Sequence, residues 1–139
     1  MSLTIWYISK YFVPVHASRV GARGFFLLRE MVKQGNRCVA FTSDSNHLAT
    51  PPLLNESVYT EVIDGVIVRW LKTSKYVKSR SFLRILSWFD FEWRVLKAPK
   101  KDLPKPDMII VSSLSLLTIL NGFVMKFTYQ CKLVFEIRD

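Results

Sequence analysis

Cysteine is scarce. Only Cys38 and Cys131 occur in 139 residues, with neither CxxC nor any metal-like spacing. Both fall in predicted strands and read as reduced, buried thiols of a cytoplasmic protein, and a disulfide has no support. His47 lies in a predicted loop with no partner at metal spacing, so it reads as an ordinary loop histidine and no metal site is expected. Catalytic signatures are missing too: GxSxG, GxxxxGK[ST] and HExxH are all absent. Glycine is sparse, and the first loop has Gly21 and Gly24 without GxGxxG, so a dinucleotide fingerprint is not supported. The N-terminus shows no basic segment followed by a long apolar stretch, so no signal peptide is expected. Internal repeats and low-complexity tracts are also lacking. One charge-free run, Met108 to Met125, reaches the length of a membrane span. Ser112, Ser113, Ser115, Thr118, Asn121 and Gly122 interrupt it, so it reads as a buried strand followed by a buried helix.

Half of the residues are hydrophobic, enough for one domain with a proper core. Thr4-Ile-Trp-Tyr-Ile-Ser9 is an apolar run without polar alternation, which suits a strand covered on both faces. A loop punctuated by Pro14 follows. Phe25, Leu28, Met31 and Val32 then recur at helical spacing, Gly35 is a natural helix stop, and Cys38 to Ser43 is a second strand. Strand, helix and strand within forty residues make a βαβ unit. Tyr59–Ile63 and Val66–Trp70 flank Asp64-Gly65, a hairpin signal. Met108–Ser112 reads as a buried strand and Lys132–Glu136 as the next strand. Between them Leu114–Tyr129 reads as a helix whose inner face is Leu117, Leu120, Val124 and Phe127. The expected class is α/β: a Rossmann-like, mostly parallel sheet with helices on both faces and one β-hairpin. The chain stops at a strand's carboxyl end, where such a domain normally adds a covering helix, so it reads as the N-terminal piece of something longer.

The net charge of +9 is concentrated. Between Arg69 and Lys105 eleven Lys or Arg stand against Asp90, Glu92 and Asp102, a net of +8, which points to an anionic partner. A helix is predicted over Ser79 to Lys97, with Phe82, Ile85, Leu86, Phe89, Trp93 and Leu96 as its core-facing stripe. Leu83, Trp88, Phe91 and Val95 fall outside the stripe, so the helix is apolar on more than one face. Lys75, Lys78, Arg80 and Arg84 crowd its N-terminal side, where the helix dipole disfavours cations. Two readings stand. One is a membrane interface, with those four cations, Trp88 and Trp93 as the contacts. The other is packing between the sheet and an absent partner domain. A nucleic-acid partner is the weakest class, since no recognised motif accompanies the charge.

Ligands of open α/β sheets sit beyond the strands' carboxyl ends. Three such ends, Ser9–Gly21, Ser112-Ser113 and Glu136–Asp139, offer backbone N–H groups, hydroxyls, a guanidinium and carboxylates, which suit a phosphate- or sugar-bearing ligand. The candidate acceptor- or phosphate-binding residues are Tyr11, His16, Ser18, Arg19, Gly21 and Ser113. A purely structural role, with Glu136 pairing Arg138 and Ser113 capping a helix, remains the alternative.

Five ordered segments are similar to family-four glycosyltransferases: Ile5–Pro14, Arg23–Gly35, Ile63–Arg69, Pro106–Val111 and Lys132–Asp139. These are retaining, metal-independent enzymes of the GT-B fold, and the resemblance is nearest to the bacterial group that builds surface polysaccharides. It spans nearly the whole chain. It implies the N-terminal, acceptor-binding half, with the nucleotide-sugar donor bound mainly by a C-terminal half or separate subunit that this chain lacks. The isolated chain is therefore expected to be inactive, and no cofactor beyond the donor substrate is expected. The resemblance places Glu136, Arg138 and Asp139 in the catalytic cleft. The family's glycine-rich first loop here reads His16-Ala-Ser-Arg-Val-Gly21, with a single glycine. A lipid-linked or glycan acceptor, at the inner face of the plasma membrane, would agree with the basic aromatic segment. The rival reading is a non-enzymatic membrane-docking subunit that recruits a separate catalytic half.

Overall fold

The computed structural model describes residues 2–14, 16, 22–45, 50–73, 82–112 and 116–137. Their elements, in chain order, are β1 (Thr4–Ile8), α1 (Arg23–Lys33), β2 (Arg37–Ser43), β3 (Val58–Ile63), β4 (Val66–Leu71), α2 (Phe82–Lys97), β5 (Met108–Ser112), α3 (Leu116–Tyr129) and β6 (Lys132–Glu136). One six-stranded sheet runs β3-β4-β2-β1-β5-β6. All neighbours are parallel except the β3–β4 hairpin. Counting the parallel strands alone, the order is third, second, first, fourth, fifth, which is compatible with a Rossmann-like fold. The order reverses between β1 and β5.

The charge-free run resolves into β5 and α3, and no helix among the described residues is long and apolar enough to cross a membrane. Cys38 is buried in β2, whereas Cys131 lies just before β6 and is only partly buried; both are free thiols. The hairpin turn is as expected. Asp64 (φ 51°) and Gly65 (φ 83°) both take the left-handed region that a type I′ turn needs. Gly65 also has no room for a side chain, since a Cβ there would lie 2.7 Å from a Val32 methyl on α1. α1 closes with paired bonds from Gly35 N–H to the Val32 carbonyl and from Asn36 N–H to the Met31 carbonyl, a Schellman motif.

Each face of the sheet has its own core. On one side Phe25 and Leu28 of α1 pack on Tyr7, Ala40, Val68 and Ile110. On the other, Phe91 and Val95 of α2 and Met125 of α3 pack on Trp6, Val39, Phe41 and Ile109. β1 and all but the first residue of β2 are buried, as expected for strands covered on both faces.

The orientation of α2 and α3 corrects the sequence reading. The stripe expected to face the core, Phe82, Ile85, Leu86, Phe89, Trp93 and Leu96, points outward, with Phe82 70% and Trp93 59% exposed. Among the described side chains of α2, Ser87, Phe91, Glu92 and Val95 are buried. In α3 the expected inner face is likewise outside: Leu120, Val124 and Phe127 are exposed, Phe127 by 75%, and Leu117 is half-buried. Thr118, Asn121, Gly122 and Met125 face inward. Two physical reasons account for this. Gly122 lets α3 approach the sheet so closely that a Cβ would lie 3.0 Å from methyls of both Leu133 and Val111. The two helices also share a polar seam, in which Glu92 accepts bonds from the Thr118 hydroxyl and from the Asn121 amide at 2.7 Å. Burying polar groups costs least when they pair, and here the Glu92 carboxylate, the Thr118 hydroxyl and the Asn121 amide nitrogen do so, while Asn121 Oδ1 is buried with no hydrogen-bond partner among the described residues.

Candidate functional site

The most organised polar cluster lies at the carboxyl ends of β1, β5 and β6, beside the point where strand order reverses. Its centre is Glu136, the last residue of β6, with a side chain only 15% exposed. One carboxylate oxygen accepts from the Tyr7 hydroxyl (3.3 Å), the Ser112 hydroxyl (3.1 Å) and the Arg23 guanidinium (2.5 Å). The register explains the first two. Ser112 pairs with Glu136 across β5 and β6, and Tyr7 points to the same face two strands away. Arg23 opens α1, whose N-cap Ala22 supplies no side-chain cap and whose first turn has no acid. Glu136 thus brings negative charge to that helix end, where the dipole favours it.

The first loop is pinned to the sheet. The Thr42 hydroxyl reaches the carbonyls of Lys10 (3.2 Å) and Phe12 (2.8 Å), and Tyr11 N–H donates to the Ser9 hydroxyl. Lys10 is buried, donates to the Ser45 carbonyl at 2.5 Å, and lies 4.6 Å from the centre of the Tyr11 ring. A carboxylate, a guanidinium, a buried ammonium and two hydroxyls therefore sit at this end of the sheet. Such a set can hold a polyhydroxylated or phosphate-bearing ligand by charge-assisted hydrogen bonds. Cys38 is not part of it: it pairs with Ile5 toward the amino ends of β1 and β2, and burial pushes its thiol up to about 11. Among the described residues no three His, Cys, Asp or Glu gather as a metal-binding group.

No family model matches the chain, and no curated protein matches it either.

The sequence-derived candidates scatter. Glu136 lies in the cluster. Tyr11 instead turns to α2, accepting a bond from the Trp88 indole at 3.1 Å. That contact also draws Trp88 inward, where it is half-buried, so of the two tryptophans expected at a membrane only Trp93 is outward. His16 is 3.7 Å from Glu61 on β3, at the opposite edge of the sheet from β6. Ser18, Arg19, Gly21, Ser113, Arg138 and Asp139 lie outside the described residues, as do His47, Lys75, Lys78, Arg80 and the side chain of Arg84. The sequence offers Ser112 as a strand-end hydroxyl and Lys10 only as part of the Ser9–Gly21 end, and it singles out neither Tyr7 nor Arg23. Tyr7 reads as one more residue of an apolar strand, and Arg23 only as the first residue of a segment that resembles the family's. Only the register and the docking of α1 bring them to Glu136.

Proposed function

We propose that the chain is the acceptor-binding half of a nucleotide-sugar-dependent glycosyltransferase of the GT-B kind, with a lipid-linked or glycan acceptor in surface-polysaccharide synthesis. The supporting observation is Glu136: a carboxylate of the motif that resembles the family's, held by three donors at a strand end beside the topological switch point. In this reading Glu136 accepts a bond from an acceptor hydroxyl, Arg23 answers phosphate charge, and Tyr7 and Ser112 hold the carboxylate in one orientation. The donor is bound mainly by a C-terminal half or separate subunit. The protein works peripherally at the cytoplasmic face of the membrane, resting on the outer faces of α2 and α3, whose exposed large apolar side chains accompany a strongly basic segment. That surface alone also favours the second reading, a non-enzymatic docking subunit that recruits a catalytic partner.

The test is an amide chemical-shift titration with a short-prenyl diphosphate sugar and, separately, with a nucleotide sugar. The expected result is saturable shifts around Glu136, Arg23 and Ser112 with the first probe, much weaker ones with the second, and loss of the former in Glu136→Gln. No response at those residues to the lipid-linked probe would overturn the acceptor reading and leave docking alone. Turnover of a nucleotide sugar by the unaccompanied chain would refute the half-enzyme assignment.

A further inference from the structure

A second, separate site lies at the other edge of the sheet. Beside the C-terminal end of α2, against the β3–β4 edge, a cavity of about 920 Å³ has an apolar wall of Val58, Leu96 and Pro99. Arg69, Lys100 and Lys101 line its other side. A neighbouring cavity of about 270 Å³ shares Val58 and Pro99 and adds Trp93, Arg94 and Lys97, so the two are parts of one groove. Tyr129 of α3 also lines the groove, which lies on the α2 and α3 side of the sheet, whereas Glu136 bonds Tyr7 on the α1 side, so the sheet separates the two sites.

The charges in the groove do not balance. Arg69 is committed: its guanidinium bonds both oxygens of Asp102 (3.3 and 2.6 Å), the Pro99 carbonyl (2.6 Å) and the Thr60 hydroxyl (3.1 Å). That pairing holds the Asp102 carboxyl below its ordinary range. Arg94 is paired with Asp90 at 2.9 Å. Lys97, Lys100 and Lys101 have no carboxylate within ion-pair distance among the described residues. Lys97 lies 4.8 Å from the centre of the Trp93 ring. Lys100 donates to the carbonyls of Leu96 (3.2 Å) and Ala98 (2.9 Å), which answers the negative end of α2 and leaves one of its three donors for a ligand. Three uncompensated ammonium groups therefore border an apolar wall. Trp93 and Leu96 belong both to this groove and to the outer apolar face of α2, so the groove opens directly onto that face.

We propose that this groove is a headgroup site for an anionic, phosphate-bearing amphiphile, with the phosphate on Lys97, Lys100 and Lys101 and the adjoining methylenes along Leu96 and Pro99. This deepens the membrane part of the reading above and does not depend on sugar transfer. A free phosphate would use the charge and forgo the apolar wall. A zwitterionic lipid would use the wall and forgo most of the charge.

The probe is dihexanoyl phosphatidylglycerol below its micelle concentration, titrated calorimetrically against the full chain. Dihexanoyl phosphatidylcholine and inorganic phosphate are the comparisons. Saturable binding of the anionic lipid is expected, at least tenfold tighter than either comparison. Lys97→Glu with Lys101→Glu should weaken it tenfold or more, while Lys33→Glu with Lys132→Glu, a matched charge change elsewhere, should leave it within twofold. Burial and the Arg69 charge lower the Lys100 pKa to about 8. The other charged or titratable groups that line the cavity are Arg69, Lys101, Asp102, whose carboxyl Arg69 holds below its ordinary range, and Tyr129, raised by burial, so loss of the Lys100 charge should make binding fall between pH 7 and 9.5. In Lys100→Gln that fall should be absent. No saturable binding, equal binding of inorganic phosphate, or equal weakening by both charge pairs would overturn the proposal. Vesicle sedimentation of Leu120→Ser with Phe127→Ser separates the two ideas. Loss of vesicle binding with the short-lipid site intact supports both. Retained vesicle binding with an intact short-lipid site sinks only the apolar-face reading.

Discussion

The two sides of the sheet carry helices of different kinds. α1 has one apolar face, and Phe25 and Leu28 on it are fully buried, as their spacing indicates. α2 is apolar on more than one face, α3 buries Thr118, Asn121, Gly122 and Met125, and in both the face that reads as more hydrophobic is turned away from the sheet. Hydrophobic period alone does not select the orientation of these two helices. Close approach and polar pairing decide: Gly122 permits the first, and Glu92 with the Thr118 hydroxyl and the Asn121 amide nitrogen provides the second. The outcome is a large apolar surface that a solitary soluble domain rarely presents.

Substituting across that divide gives the largest effect. Phe91→Ala should cost about 3–5 kcal/mol in urea unfolding, as Phe25→Ala should on the other side, because each leaves a cavity. Phe127→Ala should stay within about 0.5 kcal/mol, since its side chain is already in water. Equal losses for Phe91→Ala and Phe127→Ala would mean the faces are assigned wrongly. Next comes Gly122→Val, expected to cost about 1–3 kcal/mol through overlap with Leu133 and Val111. Leu120→Val, on the outer face of the same helix, should be close to neutral by the same measurement.

The polar seam gives a pH signature. Burial raises the Glu92 pKa above its ordinary 4.5, and the bonds from Thr118 and Asn121 offset only part of this. A raised folded-state pKa means the stabilising form is the protonated one. Its contribution is complete below the unfolded value and is lost as pH rises through the folded one. Glu92→Gln should therefore have a higher Tm than the wild type, by a margin that grows as pH is raised from 4.5 and then levels off. A margin independent of pH would show that Glu92 does not titrate against the fold. A small gain is expected at Gln130, which closes α3 with φ 52°. Gln130→Gly should gain about 0.5–1 kcal/mol, because glycine adopts that conformation without strain.

Much of the fold is legible in the residues themselves. Alternation and its absence, Asp64-Gly65 and Gly35 place the strands, the hairpin and the end of α1 within a residue or two, because those signals are local. Less of the candidate site is legible. Glu136 stands out by its place at a strand end, yet its donors come from positions 7, 23 and 112, far apart in the chain. His16 and Tyr11, neighbours in the same loop, end against different elements.

What the chain's own order of residues determined is the set of elements and the α/β class, since backbone preference and hydrophobic period act over a few residues. What only the tertiary structure decided is which face of α2 and α3 meets the sheet, which donors surround Glu136, and that three lysines border one groove. Those outcomes depend on how close two helices can approach a sheet and on which buried polar groups then find partners, and neither quantity exists until the chain has packed.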